Sequence, residues 1–317
     1  MKKGFLIGII FINGIVMQTF AQSFHINNLF NPGVTIGTDY QFPSVINDSA
    51  DFQIVKYKAQ FVKPLRTKFG VALKDFDIKK VDAKASQIFL ATKFSVAKPS
   101  ITNNNYEDIY KGEIEVTAIT ASIKNGIWVY AANIYVEESS STFEKYLTPN
   151  IKAYTAYVNI KNLKFIYFYG ATMVINQGKF YPLPLVGFRA KLTPDSKLKA
   201  ELIMPVHLKL NYELNKKITF DLAGYFSGIN AIDRQGSAFQ GNDNTLNLRE
   251  LKTYLAINGK LATHYKIKAE IGYAFSQKIH AIYNDFNQEM SSSPYVSISL
   301  NYNFGNSIFG NFIDRTE

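Results

Sequence analysis

The sequence predicts an all-β protein, an antiparallel up-and-down transmembrane β-barrel of about 14 strands, with about 12 as the alternative count. Three observations carry this expectation. Strand-length stretches between residues 52 and 304 place an apolar residue at every second position, which gives each strand one apolar and one polar face. Tight turns alternate with longer polar connections, as in barrels whose short turns share one side of the membrane. Beyond the N-terminus, no stretch reaches the ~20 apolar residues of a spanning helix.

The elements follow in order. Residues 1–21 read as a cleaved signal peptide, with Lys2 and Lys3, the apolar Phe5–Val16 and a small-residue site ending at Ala21. Residues 22–51 are expected to be a periplasmic lead-in, with a turn at Asn31-Pro32-Gly33. The barrel is assigned to 52–304 and a short tail to 305–317. Strands are expected near 52–62, 66–77, 84–96, 113–124, 127–137, 150–160, 163–175, 184–192, 197–203, 206–214, 217–227, 246–261, 266–277 and 294–304. Asn125-Gly126 is a hairpin turn in which both positions tolerate positive φ. Lys161-Asn162, Thr193–Ser196, Asn215-Lys216 and the segment around His264 are similarly tight, whereas 97–112, 138–149, 228–245 and 278–293 are long and polar. Residues 186–202 and 206–222 resemble each other at a displacement of 20 residues. This favours two strands around an outer turn at Met204-Pro205, where a residue without N–H is tolerated.

Cost decides which face meets lipid. A charge on that face near mid-bilayer costs roughly 2–4 kcal/mol, so the apolar set points outward. Val55, Tyr57, Ala59 and Phe61, then Leu198, Ala200 and Leu202, and Val296, Ile298, Leu300 and Tyr302 are expected outside. Lys56, Lys58, Lys199, Glu201, His207, Lys209, Glu213, Asp221, Lys266, Lys268 and Glu270 then line the lumen. They are the candidate binding residues. Either the lysines form a basic track for small anionic solutes, or they pair with the carboxylates and fill the interior. Residues 150–160 and 163–175 are apolar on both faces and their sidedness stays open.

Without Lys2 and Lys3 the chain keeps 33 basic residues against 25 acidic ones, a net of +8. These are dispersed rather than clustered, which points to outer-membrane lipids and anionic glycolipid as partners and away from nucleic acid. The 25 Phe, 20 Tyr and one Trp suit interfacial aromatic girdles. There is no cysteine, which excludes disulfides and thiolate chemistry. No cofactor motif and no metal-ligand spacing is present. Glu137-Glu138 and Asp285 with Glu289 lie in or near loops and read as groups that maintain solubility or bind a divalent ion weakly. Among the four histidines, His280 shares a face with Ser276, but four residues of regular strand separate them by roughly 13 Å, too far for a nucleophile and its base. The reading is therefore not an enzyme.

Tyr295–Phe304, alternating apolar residues that end in an aromatic, resembles the terminal strand of Gram-negative outer-membrane β-barrels. That resemblance implies recognition by the barrel-insertion machinery during assembly, although Gly305–Glu317 follow the aromatic. The segment Leu192–Pro205 with Val206–Gly228 is similar to an uncharacterised family of such proteins. The expected role is a small passive, porin-like channel or a structural protein of the outer membrane. The alternatives are a lipid hydrolase on a barrel and a barrel that binds partners through its loops.

Overall fold

The computed structural model describes residues 32–47, 50–72, 82–102, 104–105, 107–122, 126–139, 147–162, 164–193, 195, 197–204, 207–234, 243–281 and 286–305. Residues 1–21, expected to be a signal peptide, most of the tail after Phe304, and Asp285 lie outside them. The strands are β1 (Gly33–Asn47), β2 (Ala50–Ala72), β3 (Asp82–Ile101), β4 (Asn104–Asn105), β5 (Ile109–Ser122), β6 (Gly126–Ser139), β7 (Asn150–Asn162) and β8 (Phe165–Asn176). They continue as β9 (Lys179–Lys191), β10 (Leu198–Met204), β11 (His207–Asn215), β12 (Ile218–Arg234), β13 (Asp243–Lys260), β14 (Tyr265–Ala281), β15 (Phe286–Met290) and β16 (Ser293–Asn303). The short β4 and β15 fold back on β3 and β14. The other 14 form one closed antiparallel wall, in which β14 pairs with β13 and β16, and β16 pairs with β1. Closure leaves no unpaired wall edge, a condition that lipid imposes on any β structure crossing it.

Two expectations fail in ways that cancel in the strand count. Gly33–Asn47 is not a lead-in but the first wall strand, registered from Gly33↔Asn303 to Gln41↔Tyr295 on one side and against β2 on the other. The barrel therefore begins at residue 33 rather than 52. Conversely, 52–62 and the described part of 66–77 are one strand. The gap left between them holds a β-bulge between Pro64 and Arg66. A bulge accepts a proline without N–H and inserts one residue, which swaps the faces. Val62 points into the lumen before it and Thr67 after it, where Thr67 accepts a hydrogen bond from Gln87 (3.2 Å). Leu198–Leu214 is two strands, β10 and β11, in register from Leu198↔Tyr212 to Ile203↔His207.

The start of β1 and the end of β16 share one end of the wall with the turns 216–217 and 261–264. Asn303 N–H donates to the His264 carbonyl (2.8 Å) and Phe304 N–H to that of Pro32 (2.9 Å). By the sidedness of such barrels this end is termed periplasmic. The alternation of short and long connections holds only in part. At the outer end, β1–β2, β8–β9 and β10–β11 are joined by two residues each, while the periplasmic β2–β3 connection takes nine. In the β9–β10 turn, hydrogen bonds from the Thr193 hydroxyl and the Lys197 N–H hold the Asp195 carboxyl below the usual carboxylate range.

The exterior is a band of aliphatic and aromatic side chains, including Ile134, Val186, Leu222, Leu255, Ile257, Ile271 and Ile298, all about half exposed. Trp128 stacks with Tyr130 and leans on Tyr157, and Tyr157 on Tyr169, as an aromatic belt at the periplasmic end. Placing arginine at Ile257 is expected to cost about 2–4 kcal/mol of folding stability in lipid, and arginine at the neighbouring inward Asn258 much less. Unfolding of the two variants in lipid vesicles by denaturant checks the difference.

Candidate functional site: the lumen

The inward face is layered. At the outer end Ile46, Phe52, Ile54, Ile101, Ile109, Ile229, Leu248, Ile279 and Met290 pack together. Met290 comes from β15, which folds back on β14 at this mouth. Ser44 and Ser293 exchange a hydrogen bond there (2.7 Å), and Gln41 donates to Gln277 (2.6 Å). Nearer the periplasm a second apolar group fills the side walled by β2, β3 and β5–β10. It includes Val62, Phe89, Ile119, Val129, Tyr154, Phe168, Leu185 and Ile203. This explains why β7 and β8 read as apolar on both faces. Their even-numbered residues point inward, and Tyr154, Ala156 and Phe168 among them join this apolar group.

Charged groups occupy the rest, and the inward candidates lie among them. Glu250 sits between Lys252 (2.9 Å) and Lys56 (3.6 Å), with its side chain fully buried. Lys58 is paired with Asp39, which also accepts from the Ser297 hydroxyl (2.7 Å). Lys268 meets Glu270 at 2.5 Å and lies 4.7 Å over the Tyr254 ring, as Lys252 lies over that of Tyr295. Lys199 faces Glu213 and His207 faces Glu201, each at 3.8 Å, and Lys209 is the strand partner of Glu201. Asp221 accepts from Asn211 (2.6 Å) and Asn258 (3.0 Å). The wall thus brings Lys56, Lys58, Lys199 and Lys268 each against a carboxylate.

A second belt escaped the sequence reading. Lys93 Nζ lies 2.5 Å from Glu113 and 3.2 Å from Glu115, Thr117 donates to Glu115 (3.0 Å), and Lys111 lies 3.4 Å from Glu137. The signal was present, since Lys111, Glu113, Glu115 and Thr117 fall on the polar face of one period-two strand. Glu137 and Glu138 are not the solvated acids expected near a loop. They end β6 and are buried, Glu138 completely, where it accepts a hydrogen bond from the Thr148 N–H.

Glu138 marks a further feature. It pairs in parallel with Ile232 of β12, although β6 and β12 stand on nearly opposite sides of the ring. Close by, Gln177 in the β8–β9 turn donates to Asn230 of β12 (3.3 Å) and, through its backbone N–H, to Asn150 of β7 (2.8 Å). The barrel is therefore pinched across its outer mouth. Ser276 and His280 do not share a face in the way a regular strand would place them. Ser276 has φ +49° at a bulge between β13 and β14, and the inward set shifts from Ala274 to Gln277 and Ile279. His264 makes its ring contact with the Asn303 carbonyl (3.0 Å). His25 lies outside the described residues.

Solved structures with similar chain paths include the KdgM porin in complex with disordered oligogalacturonate, at 9% identity over 86% of this chain and 99% of that one, TM-score 0.37. Another is the COG4313 outer membrane channel from Pseudomonas putida F1, at 8% identity over 88% and 100%, TM-score 0.35. A third is the translocator domain of the autotransporter NalP from Neisseria meningitidis, at 10% identity over 92% and 95%, TM-score 0.35. No curated protein matches the sequence. Residues 100–303, from the end of β3 to the end of β16, match the family described as Domain of unknown function (DUF6268), and the chain belongs to that family.

Proposed function

We propose that the protein serves the outer membrane as a sealed barrel, a structural wall that carries its outer connections, rather than as a standing pore. The contact of β6 with β12 across the outer mouth carries this reading. A porin needs a continuous aqueous path, and a 14-strand wall has the circumference for a narrow one only while it stays round. The pinch takes that room away, and the apolar residues beneath it, Ile229, Leu248 and Ile279 among them, offer water no partners. Lys56, Lys58, Lys199 and Lys268, suited to drawing an anion inward, each face a carboxylate of the same wall. This supports ion pairing within the interior over a basic track. Delivery through the signal peptide 1–21 and assembly by the barrel-insertion machinery complete the proposal.

Recording single-channel currents from purified, refolded protein in planar bilayers tests it. The expected record is flat at high voltage in either polarity. Reproducible conductance steps from the wild-type chain would overturn the sealed reading in favour of the passive channel.

A further inference from the structure

One patch of the outer wall departs from the apolar rule. At the periplasmic end, Lys68, Ser86, Thr120, Trp128 and Tyr157 form a single register row across β2, β3, β5, β6 and β7. Below it runs a second row of Gly70, Lys84, Ser122 and Gly126. Both rows face outward, because the adjacent row of Gln87, Ile119 and Val129 is buried inside. Together they line a hollow of about 770 Å³.

Its shape follows from side-chain size. Ser86, Thr120 and Ser122 make a low hydroxylated floor, and a side chain at Gly70 would meet nothing within 4 Å. Lys68 and Lys84 stand at one end. At the other, Trp128 packs on Tyr157 (5.2 Å), whose ring lies over Gly126 in its left-handed turn (φ +70°). Two strand spacings, about 10 Å, separate Lys84 from Trp128.

We propose that this hollow binds one anionic phospholipid, its phosphate held by Lys68 and Lys84 and its first acyl segment laid against Trp128 and Tyr157. The level is right, since aromatic belts mark the depth where headgroups give way to hydrocarbon. The charge is right, since two ammonium groups beside small hydroxyls suit a phosphodiester and its ester carbonyls. Phe69, Ala85 and Ala121 complete the lining, and neither membrane partition alone nor a second copy of the chain calls for two ammonium groups beside three hydroxyls. A phospholipid satisfies the basic end, the hydroxylated floor and the aromatic end together. The site lies outside the wall and is independent of whether the lumen conducts.

Trp128 is the chain's sole tryptophan, so its fluorescence reads this hollow directly. The full chain, refolded in non-ionic detergent, is titrated with phosphatidylglycerol carrying bromines on its acyl chains, and in parallel with brominated phosphatidylcholine. Quenching by the anionic lipid is expected at the lower concentration, by roughly fivefold for each lysine engaged. The double variant K68E/K84E is expected to lose that preference while keeping its heat-dependent gel mobility. S86L/T120L, which fills the floor with both charges intact, is expected to weaken the anionic lipid as well. Equal quenching by both lipids in the wild type overturns the proposal. So does displacement by inorganic phosphate, which would make the hollow a site for a free oxyanion, or protection of Trp128 in a cross-linkable dimer.

Discussion

Replacing Glu250 with alanine is expected to destabilise the folded barrel by about 3–5 kcal/mol, because it strands two buried ammonium groups. Lys252 and Lys56 converge on this carboxylate, and neither has comparable access to water, their side chains being 3% and 13% exposed. The Lys252 ammonium also lies over the Tyr295 ring, a contact too weak to replace a full countercharge at about 0.5–2 kcal/mol. Denaturant unfolding of wild type and E250A in the same lipid measures the loss. Changing Glu250 and Lys252 together to leucine removes one buried charge of each sign and is expected to recover much of it. The exposed Lys278–Glu289 pair at the outer end, with side chains 52% and 77% exposed, is the contrast. Its removal is expected to cost less than about 1 kcal/mol. A loss at E250A no larger than that would show that water reaches the site and that the ion pairs do not hold the interior.

The pinch has an equally direct test, because the chain contains no cysteine to interfere. Cysteines placed at Glu138 and Ile232 are expected to form a disulfide under mild oxidation in intact membranes. Paired residues across strands fall within the Cα separation that an S–S bond requires. The bond would span nearly opposite walls, so the oxidised chain should migrate as a distinct species on an unfolding gel and revert on reduction. T35C/N301C at the β1–β16 seam, where the native pair exchanges a hydrogen bond (2.6 Å), is the positive control. A seam that cross-links beside a mouth that does not would mean that β6 and β12 stand apart in the membrane, and the sealed reading would fall.

Period-two alternation made the wall legible. Its interruptions were misread wherever tertiary structure alone gives them meaning. The alternation breaks at Lys63–Leu65, and only the partner strand shows that the break is a bulge within one strand rather than the end of one. β1 alternates properly, with Val34, Ile36, Thr38 and Tyr40 on one face, but Gly33 and Gly37 weaken its signal and Asn31-Pro32-Gly33 draws attention to a loop. In β7 and β8 the contrast between faces vanishes because Phe168 and Tyr154 point into a packed interior. The facing of Lys56 followed from parity, but its partner did not. Glu250 lies on a strand far along the chain, and only closure of the ring brings the two together. The Glu138–Ile232 contact has no local signature at all, since it joins strands that are not neighbours in the wall.

The seam between β1 and β16 has a consequence for biogenesis. Nine register pairs, from Gly33↔Asn303 to Gln41↔Tyr295, complete the ring with the first strand and the last. A nascent polypeptide therefore cannot finish any stable part of the wall as it emerges, for its opening segment waits on its final one. A premature stop before Ser293 would present two raw hydrogen-bonding edges to lipid.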